Sequence, residues 1–313
     1  MNSQAKIYVA GHRGLVGAAI QRRLLREGYA KLTTCAHHEL DLTDQAAVMG
    51  FFAREQPEYV FLAAARVGGI VANDAWPADF IRDNLLIQTH VIEAAYRTGV
   101  QKLLFLGSSC IYPRLAPQPM PESCLLTGPL EPTNEWYAVA KIAGIKMCQA
   151  YRRQYGFNAI CLMPTNLYGP GDNFSLASAH VLPALIRKFH EAKVQQQPFV
   201  TVWGTGTPRR EFLHVDDLAD AAVFLMAHYA GEDIVNVGVG QDIAIGKLAE
   251  LVREVVDYGG EIRYDPTKPD GSPRKLLAVA RLHALGWRAR IPLRDGVVST
   301  YQWFLDHQAS ARL

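Results

Sequence analysis

The sequence predicts a doubly wound α/β fold: a parallel sheet covered by helices on both faces, with a smaller mixed α/β lobe. Short β-rich runs alternate with helical patterns through the first half of the chain, and each run is apolar at consecutive positions. Strands of that kind are buried on both faces, as in parallel sheets. The 313 residues exceed the roughly 100–200 that are typical of one domain, so we expect two lobes.

Four strand-then-helix units open the chain. Their strands read KIYVAG, KLTTC, YVFLAA and KLLFLG, and their helices read GLVGAAIQRRLLREG, DQAAVMGFFARE, residues 78–97 and YAVAKIAGIKMCQAYRRQYG. NAICLMP predicts a fifth strand that Pro164 ends, LYGPGDNFSLAS predicts a loop, and AHVLPALIRKFHEA predicts a helix. HVDDLADAAVFLMAHY has a helical period and an acidic start, so we expect it to return and pack on the sheet. The region after about residue 236 ends in the helix LRDGVVSTYQWFLDHQ.

The composition argues against several kinds of partner. The formal net charge is +2 and the Lys and Arg residues are dispersed, which argues against nucleic acid. No apolar segment reaches the roughly 18 residues of a membrane span, and the N-terminus lacks the layout of a signal peptide. The five cysteines form no C-x-x-C pair, so we expect neither a disulfide framework nor a metal site. These features predict a soluble cytoplasmic protein.

A glycine-rich turn joins the first strand to the first helix. The spacing is G-x-x-G-x-x-G, over Gly11, His12, Arg13, Gly14, Leu15, Val16 and Gly17. Glycines allow the backbone to approach a pyrophosphate closely, and the helix N-terminus supplies free N–H groups. A purely structural turn has the same spacing, but its position after the first strand of an alternating βα chain favours a dinucleotide site.

The residues after the second strand favour NADP(H) over NAD(H). NAD-binding proteins usually place an acid there to hold the ribose 2′-hydroxyl. This strand instead ends in Cys35-Ala36-His37-His38, with no acid before Glu39. Arg13 can pair with a 2′-phosphate, and His37 can add a weaker contact. The alternative is that Arg13 is an ordinary solvated arginine.

Tyr137 and Lys141 are four residues apart and therefore share one face of a predicted helix. Because an ammonium favours the phenolate form of a nearby tyrosine, the pair can relay a proton to a carbonyl oxygen. The spacing alone is also common in ordinary surface helices. Combined with the glycine turn and with Ser108 directly after the fourth strand, it resembles the extended short-chain dehydrogenase/reductase superfamily, in which Ser, Tyr and Lys act beside the nicotinamide.

Longer strings resemble one family within that superfamily. GHRGLVG, AAARVGGIVAN, FLGSSCIYP, LEPTNEWYAVAKIAGIKMC, MPTNLYGPGDNF, GTGTPRREFLHVDDLA and YQWFL are similar to the GDP-L-fucose synthases from the first strand to the last helix. The resemblance implies NADPH-dependent 3,5-epimerisation and 4-reduction of GDP-4-keto-6-deoxy-D-mannose to GDP-L-fucose.

A Rossmann domain and an interleaved second domain follow from the order of the elements. We assign residues 1–165 plus about 212–235 to an NADP-binding Rossmann domain, and about 166–211 plus 236–313 to a substrate-binding domain. The helix that carries Tyr137 and the predicted helix before it are apolar enough to pair across a two-fold axis, as in superfamily relatives, so we expect a homodimer.

The family resemblance also implies roles for particular residues. Reduction corresponds to Ser108, Tyr137 and Lys141, and epimerisation to Cys110 as base and His180 as acid. Thiols and imidazoles suit these tasks, because their unperturbed pKa values are about 8.5 and 6.5. The cofactor-binding set comprises Gly11, His12, Arg13, Gly14, Leu15, Val16, Gly17, His37, Asp41, Leu106, Gly107, Ser108, Tyr137, Lys141, Pro164, Thr165, Asn166, Leu167 and His180. The substrate-binding set comprises Lys188, Trp203, Arg210 and Asp270.

Several of these assignments have structural alternatives. A cysteine after a strand, such as Cys110, is often a buried filler, and a histidine at a helix start, such as His180, is often a capping or surface residue. Trp203 is consistent with core packing, and Asp270 with an exposed turn. Because Ser108 and Cys110 are two residues apart, their side chains point the same way if the segment is extended.

Two positions depart from the family pattern. His37 stands where some relatives carry an arginine, which weakens the expected 2′-phosphate contact, and Ala278 stands where some carry an aspartate.

Two other functions are compatible with the same fold. A nucleotide-sugar 4-epimerase with tightly held NAD needs no separate proton base, so Cys110, His180 and the missing acid after the second strand argue against it. A non-catalytic dinucleotide-sensing protein commonly lacks the Tyr or the Lys, and both are present here.

Overall fold

The computed structural model describes residues 1–268 and 270–308. Its strands are β1 Ile7–Ala10, β2 Leu32–Thr33, β3 Tyr59–Leu62, β4 Lys102–Leu106, β5 Ala159–Pro164, β6 Asn166–Tyr168, β7 Phe199–Trp203, β8 Arg209–Arg210, β9 Phe212–His214, β10 Val235–Val237, β11 Ile243–Ala244, β12 Glu261–Asp265 and β13 Arg274–Lys275. Its helices are α1 Leu15–Arg26, α2 Gln45–Glu55, α3 Ile70–Ala75, α4 Pro77–Arg97, α5 Glu135–Tyr155, α6 Val181–Val194, α7 Val215–His228, α8 Ile245–Val256, α9 Ala280–Ala284 and α10 Leu293–Asp306. None of these described helices has both the length and the apolar character that crossing a membrane requires.

The central sheet has six strands in the order β10-β5-β4-β3-β1-β2, and every neighbouring pair is parallel. Ile7 of β1 is paired with Leu32 of β2 on one side and with Tyr59 of β3 on the other. The chain therefore reverses its direction of strand addition around β1. In open α/β sheets such a reversal leaves a crevice at the carboxyl ends of the strands, where ligands bind.

Successive residues of each central strand pack on opposite faces of the sheet. Tyr8 and Ala10 of β1 belong to the core formed with α2, α4 and α5, whereas Ile7 and Val9 belong to the core formed with α1 and α7. This two-sided burial explains why the strands are apolar at consecutive positions. The predicted doubly wound fold is confirmed.

α7 returns to the sheet, as its helical period predicts. It packs beside α1, where Arg22 forms an ion pair of 2.8 Å with Asp216. At its other end, the buried ammonium of Lys102 donates hydrogen bonds of 3.2, 2.5 and 2.6 Å to the backbone oxygens of Leu225, Met226 and Tyr229. A cation satisfies the carbonyl groups that a helix leaves unpaired at its C-terminus. α7 is therefore fixed to its neighbours at both ends.

The smaller lobe has a core of its own. α6, α8 and α10 contribute Phe189, Leu248 and Phe304, and the parallel pair β7–β12 lies alongside. The pair β6–β9 continues from β5 and leads into α7, so it joins the two lobes. Leu282 and Trp287 lie late in the chain but pack with the α1 and α7 core.

Four elements differ from the predicted ones. β6, Asn166–Tyr168, includes the first two residues of the segment LYGPGDNFSLAS, which was predicted to be a loop. β2 covers only Leu32–Thr33, so Cys35 lies beyond the strand. The short helix α3 precedes α4 and was not predicted. Pro164 is the last paired residue of β5, opposite Val237, and β6 begins two residues later. A proline at the end of a strand removes little pairing, which is why the strand can include it.

Candidate active site

The glycine turn packs tightly against the loop that follows β3. Gly11 has φ +85°, and a Cβ atom there would lie 2.7 Å from the backbone nitrogen of Ala64. A Cβ atom on Gly17 would lie 2.2 Å from the backbone oxygen of Gly11. Larger residues are therefore excluded from both positions. The turn lies at the crevice between β1 and β3, where the strand order reverses.

The N-terminus of α1 fits a pyrophosphate. Gly14 is the N-cap residue, no side chain caps the helix, and the first turn holds no acid. The first intrahelical bond runs from the N–H of Ala18 to the Gly14 oxygen, at 3.0 Å. The N–H groups of Leu15, Val16 and Gly17 precede that bond and have no partner within the helix. These donors and the positive helix end suit an anionic ligand.

The acid in the turn after β2, Glu39, is hydrogen-bonded to the backbone of that same turn. Glu39 accepts a hydrogen bond of 2.6 Å from the N–H of Ala36. That bond is the main cause that lowers the pKa of Glu39, and His38, Arg13 and His12 lower it further. Glu39 is therefore tied into its own turn, and the exposed Arg13 lies close enough to attract it. Burial, with repulsion from Arg13, lowers the pKa of His12.

His37 and Asp41 lie at the same end of the sheet. The side chain of His37 is exposed, and its Nδ1 is 3.9 Å from Oδ1 of Asp41. Asp41 accepts hydrogen bonds from the N–H of Thr43 at 2.9 Å and from its hydroxyl at 2.8 Å. Those bonds lower the pKa of Asp41, the backbone bond most. The structure thus brings together His37 and Asp41, two of the residues predicted to bind the cofactor, and the 2′-phosphate contact of His37 stays a prediction.

Ser108, Tyr137 and Lys141 meet at the carboxyl end of β4. The Nζ atom of Lys141 donates a hydrogen bond of 2.8 Å to the backbone oxygen of Leu106 and lies 5.8 Å from the centre of the Tyr137 ring. Gly107 continues the edge and donates its N–H to Leu162 of β5 at 2.9 Å. β4 therefore positions Ser108, and α5 positions the other two.

Burial determines the protonation of this group. It raises the pKa of Tyr137; nearby Cys110 adds to the rise and a hydrogen bond with Ser108 opposes it. Burial lowers the pKa of Lys141 to about 8. At pH 7 the phenol holds its proton and the lysine is mainly cationic. The phenol can therefore give up its proton beside an ammonium that stabilises the resulting phenolate.

Cys110 lies in a 3₁₀ turn, Ser109–Ile111, so the segment is not extended and strand alternation does not set the direction of its side chain. Ser108 is extended, with φ −161° and ψ 150°, and its hydroxyl oxygen accepts a hydrogen bond of 3.2 Å from the N–H of Cys110. This local side-chain bond starts the turn in place of a continued strand. Ser108 and Cys110 still reach one site, because both affect the pKa of Tyr137. Cys110 is partly exposed, so it is not a buried filler.

His180 is the N-cap residue of α6, but its side chain does not cap the helix, so the capping alternative is wrong. The ring keeps exposed surface, yet enough protein surrounds it that desolvation lowers its pKa. The N–H of Gly69 donates a hydrogen bond of 3.2 Å to the oxygen of Ser178. His180 is thereby held near the loop that follows β3.

The segment from Pro164 to Leu167 is held by a residue that sequence reasoning missed, Glu211. Its backbone oxygen accepts hydrogen bonds from the side chains of Thr165, at 3.3 Å, and Asn166, at 2.8 Å. Its fully buried carboxylate accepts three backbone N–H bonds, from Val239 at 2.7 Å, Gly240 at 2.7 Å and Leu277 at 3.0 Å. Burial raises the pKa of Glu211, and these bonds oppose the rise. The sequence did carry one signal for a buried, hydrogen-bonded role of Glu211, because this acid directly precedes the apolar strand Phe212–His214.

Lys188 and Trp203 form one wall of the smaller lobe. Trp203 is 50% exposed, so the core-packing alternative is wrong. The Nζ atoms of Lys188 and Lys268 lie 5.3 and 5.6 Å from the centre of its ring. Lys188 also donates to the backbone oxygen of Thr201 at 3.1 Å, and burial lowers its pKa. An open indole near two ammonium groups suits an anionic ligand that carries a ring.

Arg210 joins this wall to the catalytic group. Burial lowers its pKa, while Cys110, Asp270 and Glu131 raise it, so all three lie near the guanidinium. Asp270 is exposed, and its carboxylate accepts hydrogen bonds from Thr205, at 2.7 Å from the N–H and 2.8 Å from the hydroxyl. Asp270 therefore fixes the turn after β7, and its role as a substrate contact stays a prediction.

Comparisons with known proteins agree with this geometry. The model of the NAD dependent epimerase/dehydratase family matches residues 7–238. The chain is 63% identical to GDP-L-fucose synthase 1 of Arabidopsis thaliana over 97% of this chain and 94% of that protein. It is 55% identical to GDP-L-fucose synthase of Escherichia coli (strain K12) over 98% of each. The crystal structure of a GDP-L-fucose synthetase from Naegleria fowleri bound to NADP superposes with a TM-score of 0.92 at 28% identity, over 100% of this chain and 98% of that one.

Proposed function

The chain belongs to the NAD dependent epimerase/dehydratase family and, within it, to the GDP-L-fucose synthases, and we propose how its residues perform that reaction. It is an NADPH-dependent oxidoreductase with epimerase activity, which converts GDP-4-keto-6-deoxy-D-mannose to GDP-L-fucose. The observation that supports the assignment of residues is the meeting of Cys110 with Ser108, Tyr137 and Lys141 beside one crevice.

The epimerising step belongs to Cys110 and His180 in this proposal. The ketone at C4 acidifies the protons on C3 and C5. Cys110 removes a proton from carbon as the base, and His180 returns one to the opposite face of the enolate. Desolvation lowers the pKa of His180, so its imidazolium gives up a proton more readily than a fully solvated imidazolium does. The partial exposure of both side chains lets a sugar reach them.

The reductive step belongs to Ser108, Tyr137 and Lys141. NADPH supplies a hydride to C4 when it is bound in the crevice. Tyr137 gives its proton to the C4 oxygen, which becomes the product hydroxyl. Ser108 orients the phenol through their hydrogen bond, and Lys141 stabilises the phenolate that remains. Both steps use one ketone and differ in which carbon reacts.

The GDP portion is proposed to lie along the smaller lobe. Lys188 and Arg210 offset the charge of the diphosphate, and the half-exposed indole of Trp203 packs against a ring. Asp270 contributes through a sugar hydroxyl or through the turn that it holds at Thr205.

Deuterated water tests the whole proposal. Incubation of the enzyme with GDP-4-keto-6-deoxy-D-mannose and NADPH is expected to oxidise NADPH and to place deuterium at C3 and C5 of the product, as read by mass spectrometry and NMR. NADPH loss without label at either carbon would contradict the epimerase half. Label without NADPH loss would contradict the reductase half. A 4-epimerase with bound NAD would consume no NADPH.

Arg13 is proposed to bind the 2′-phosphate of NADPH, with His37 and Asp41 nearby. Replacing Arg13 with methionine is expected to raise the Kd of NADPH roughly 10–100-fold, because a charge-assisted hydrogen bond contributes about 1.5–3 kcal/mol. The Kd of NADH should change less than about threefold, since NADH has no 2′-phosphate. Arg26→Met, an exposed arginine at the far end of α1, is the matched control. Equal weakening of both cofactors would show that Arg13 has no role in the 2′-phosphate contact.

The division into domains is based on the order of the elements, and it departs from the cores at two places: β10 lies in the central sheet, and Leu282 and Trp287 pack with the α1 and α7 core. Residues 1–165 plus about 212–235 form the NADP-binding domain, and about 166–211 plus 236–313 form the substrate domain, of which residues 309–313 lie outside the described ranges. The separate core around Phe189 supports this division.

A homodimer through α4 and α5 is part of the proposal. The two helices pack side by side, and Trp136, Val139 and Tyr155 of α5 are exposed large hydrophobic residues. A second copy would bury them across a two-fold axis. Sedimentation equilibrium is expected to give about twice the chain mass of 34.7 kDa, and a monomer mass would contradict it.

A cytoplasmic location is proposed because of the state of the cysteines. All five are free thiols, and Cys110 must stay reduced to act as a base. Cytosolic conditions keep thiols in that form. Recovery of the activity in a membrane or secreted fraction would contradict this part.

A further inference from the structure

Asn134 carries an acceptor to which none of the described residues donates a hydrogen bond. It is the N-cap residue of α5, where an asparagine usually accepts a hydrogen bond from the first turn, yet no side chain caps this helix. Its Oδ1 atom is buried and has no hydrogen-bond partner within the described part of the chain. Leaving a buried acceptor unpaired costs about 1–3 kcal/mol. Such an atom calls for a donor from outside the chain.

The surroundings of Asn134 are the sugar end of the site. Tyr137 is three residues further on, in the first turn of the helix that Asn134 precedes. The 3₁₀ turn that ends at Asn134 packs against α3, and the loop just before α3 is the one that binds Ser178 through Gly69. His180 follows Ser178 by two residues. Asn134 therefore lies between the elements that carry the proposed proton donor of reduction and the proposed acid of epimerisation.

The charges nearby agree with that location. Glu131, three residues before Asn134, raises the pKa of Arg210, so the two side chains are close. Arg210 is a proposed diphosphate contact and is also close to Cys110. The turn at residues 132–134 thus lies within the reach of a sugar whose diphosphate binds Arg210.

A second asparagine on the facing helix shows the same feature. Asn73 of α3 is only 5% exposed, and its Oδ1 atom also has no partner among the residues described. Its Nδ2 atom donates to the backbone oxygens of Gly68, at 2.8 Å, and Gly69, at 3.0 Å, which orients the amide. Two adjoining elements therefore each present an unsatisfied amide oxygen.

We propose that Oδ1 of Asn134 accepts a hydrogen bond from a hydroxyl group of the hexose and thereby orients the ring between Tyr137 and His180. The inference rests on the proposed function, because it needs a GDP-hexose in this crevice. A hexose hydroxyl is the donor that such a substrate brings beside its reacting ketone. A site built to accept a hydroxyl discriminates strongly against a ligand without one. Asn134 would then be a residue that determines sugar binding, apart from the nucleotide.

Ligand binding tests this without turnover. Titration calorimetry on the NADPH-saturated enzyme gives the Kd of GDP and of GDP-L-fucose, and the ratio of the two isolates the contribution of the hexose. Asn134→Leu removes the acceptor at similar size and is expected to lower that ratio roughly 5–100-fold, the range of an unpaired buried group. Asn134→Asp keeps an acceptor and is expected to hold the ratio within about threefold of the original, because its charge affects GDP as well. Thermal melting confirms that both variants fold.

The possible outcomes distinguish a failure of this inference from a failure of the proposed function. A ratio that Asn134→Leu leaves unchanged would show that Oδ1 binds only water and would overturn the inference. An equal fall for both variants would also overturn it, because the acceptor would then not be the cause. Failure of the original enzyme to bind GDP at all would contradict the proposed function itself, and this inference with it. A fall confined to Asn134→Leu and to GDP-L-fucose supports the proposal.

Discussion

Replacing Cys110 with serine is expected to lower deuterium exchange at C3 and C5 roughly 10²–10⁴-fold, the usual contribution of a general base. A serine hydroxyl is far harder to deprotonate than a thiol, whereas the shape of the residue and the turn Ser109–Ile111 are kept. The Kd of NADPH should stay within about twofold, because the glycine turn and α1 are untouched. Exchange is measured by NMR in deuterated water, and binding by fluorescence titration.

Cys35→Ser is the matched control for Cys110→Ser. Both cysteines are free and partly exposed, but Cys35 lies beyond β2, and burial raises the pKa of its thiol, with Glu39 adding to the rise. Exchange in the control should remain within about threefold of the original, as for a substitution away from the reacting atoms. Undiminished exchange in Cys110→Ser would remove Cys110 from the mechanism and leave the epimerising base unassigned.

The fold was predictable because a strand that is buried on both faces of a sheet is apolar at consecutive residues. Ile7 and Tyr8 are adjacent in the chain and enter different cores, so both must be apolar. The short helix α3 was not predictable in the same way. Six residues carry too little periodicity to indicate a helix, and only packing against the turn before α5 explains its place.

In the candidate site too, local sequence patterns predicted some residues, and contacts between distant segments position the others. Tyr137 and Lys141 were predictable as a pair, because one helix fixes their spacing. The orientation of Cys110 was not, because the hydroxyl of Ser108 competes with strand pairing for the N–H of Cys110. Glu211 connects β9 to segments before and after it in the sequence, and no local pattern records such distant hydrogen bonds.

In the proposed mechanism, different residues beside one crevice serve the two kinds of proton chemistry. Lys141 is buried at the edge of β4 and Ser108 and Tyr137 are partly buried there, and desolvation keeps the phenol protonated. Cys110 is partly exposed and His180 is exposed, so a proton that either residue exchanges with carbon can also exchange with water. The two chemistries should therefore be separable by mutation.

Replacing Tyr137 with phenylalanine is expected to lower NADPH oxidation roughly 10²–10⁴-fold, the range that a positioned acid contributes. The ring and its packing beside Lys141 remain, and only the proton donor is lost. Exchange at C3 and C5 should persist within about threefold, because Cys110 and His180 are intact. A parallel loss of exchange and reduction would mean that the two steps share the phenol, contrary to the proposed division.

The pH dependence of reduction tests the partner of that phenol. Burial lowers the pKa of Lys141 to about 8, so the ammonium is present below pH 8 and is lost as the pH rises through that value. Because the ammonium stabilises the phenolate of Tyr137, kcat for NADPH oxidation should fall above pH 8, approaching about tenfold per pH unit. Lys141→Met should be slow at every pH and show no fall near pH 8, whereas exchange at C3 and C5 should keep its own profile. A fall near pH 8 that survives in Lys141→Met would assign the titration to another group.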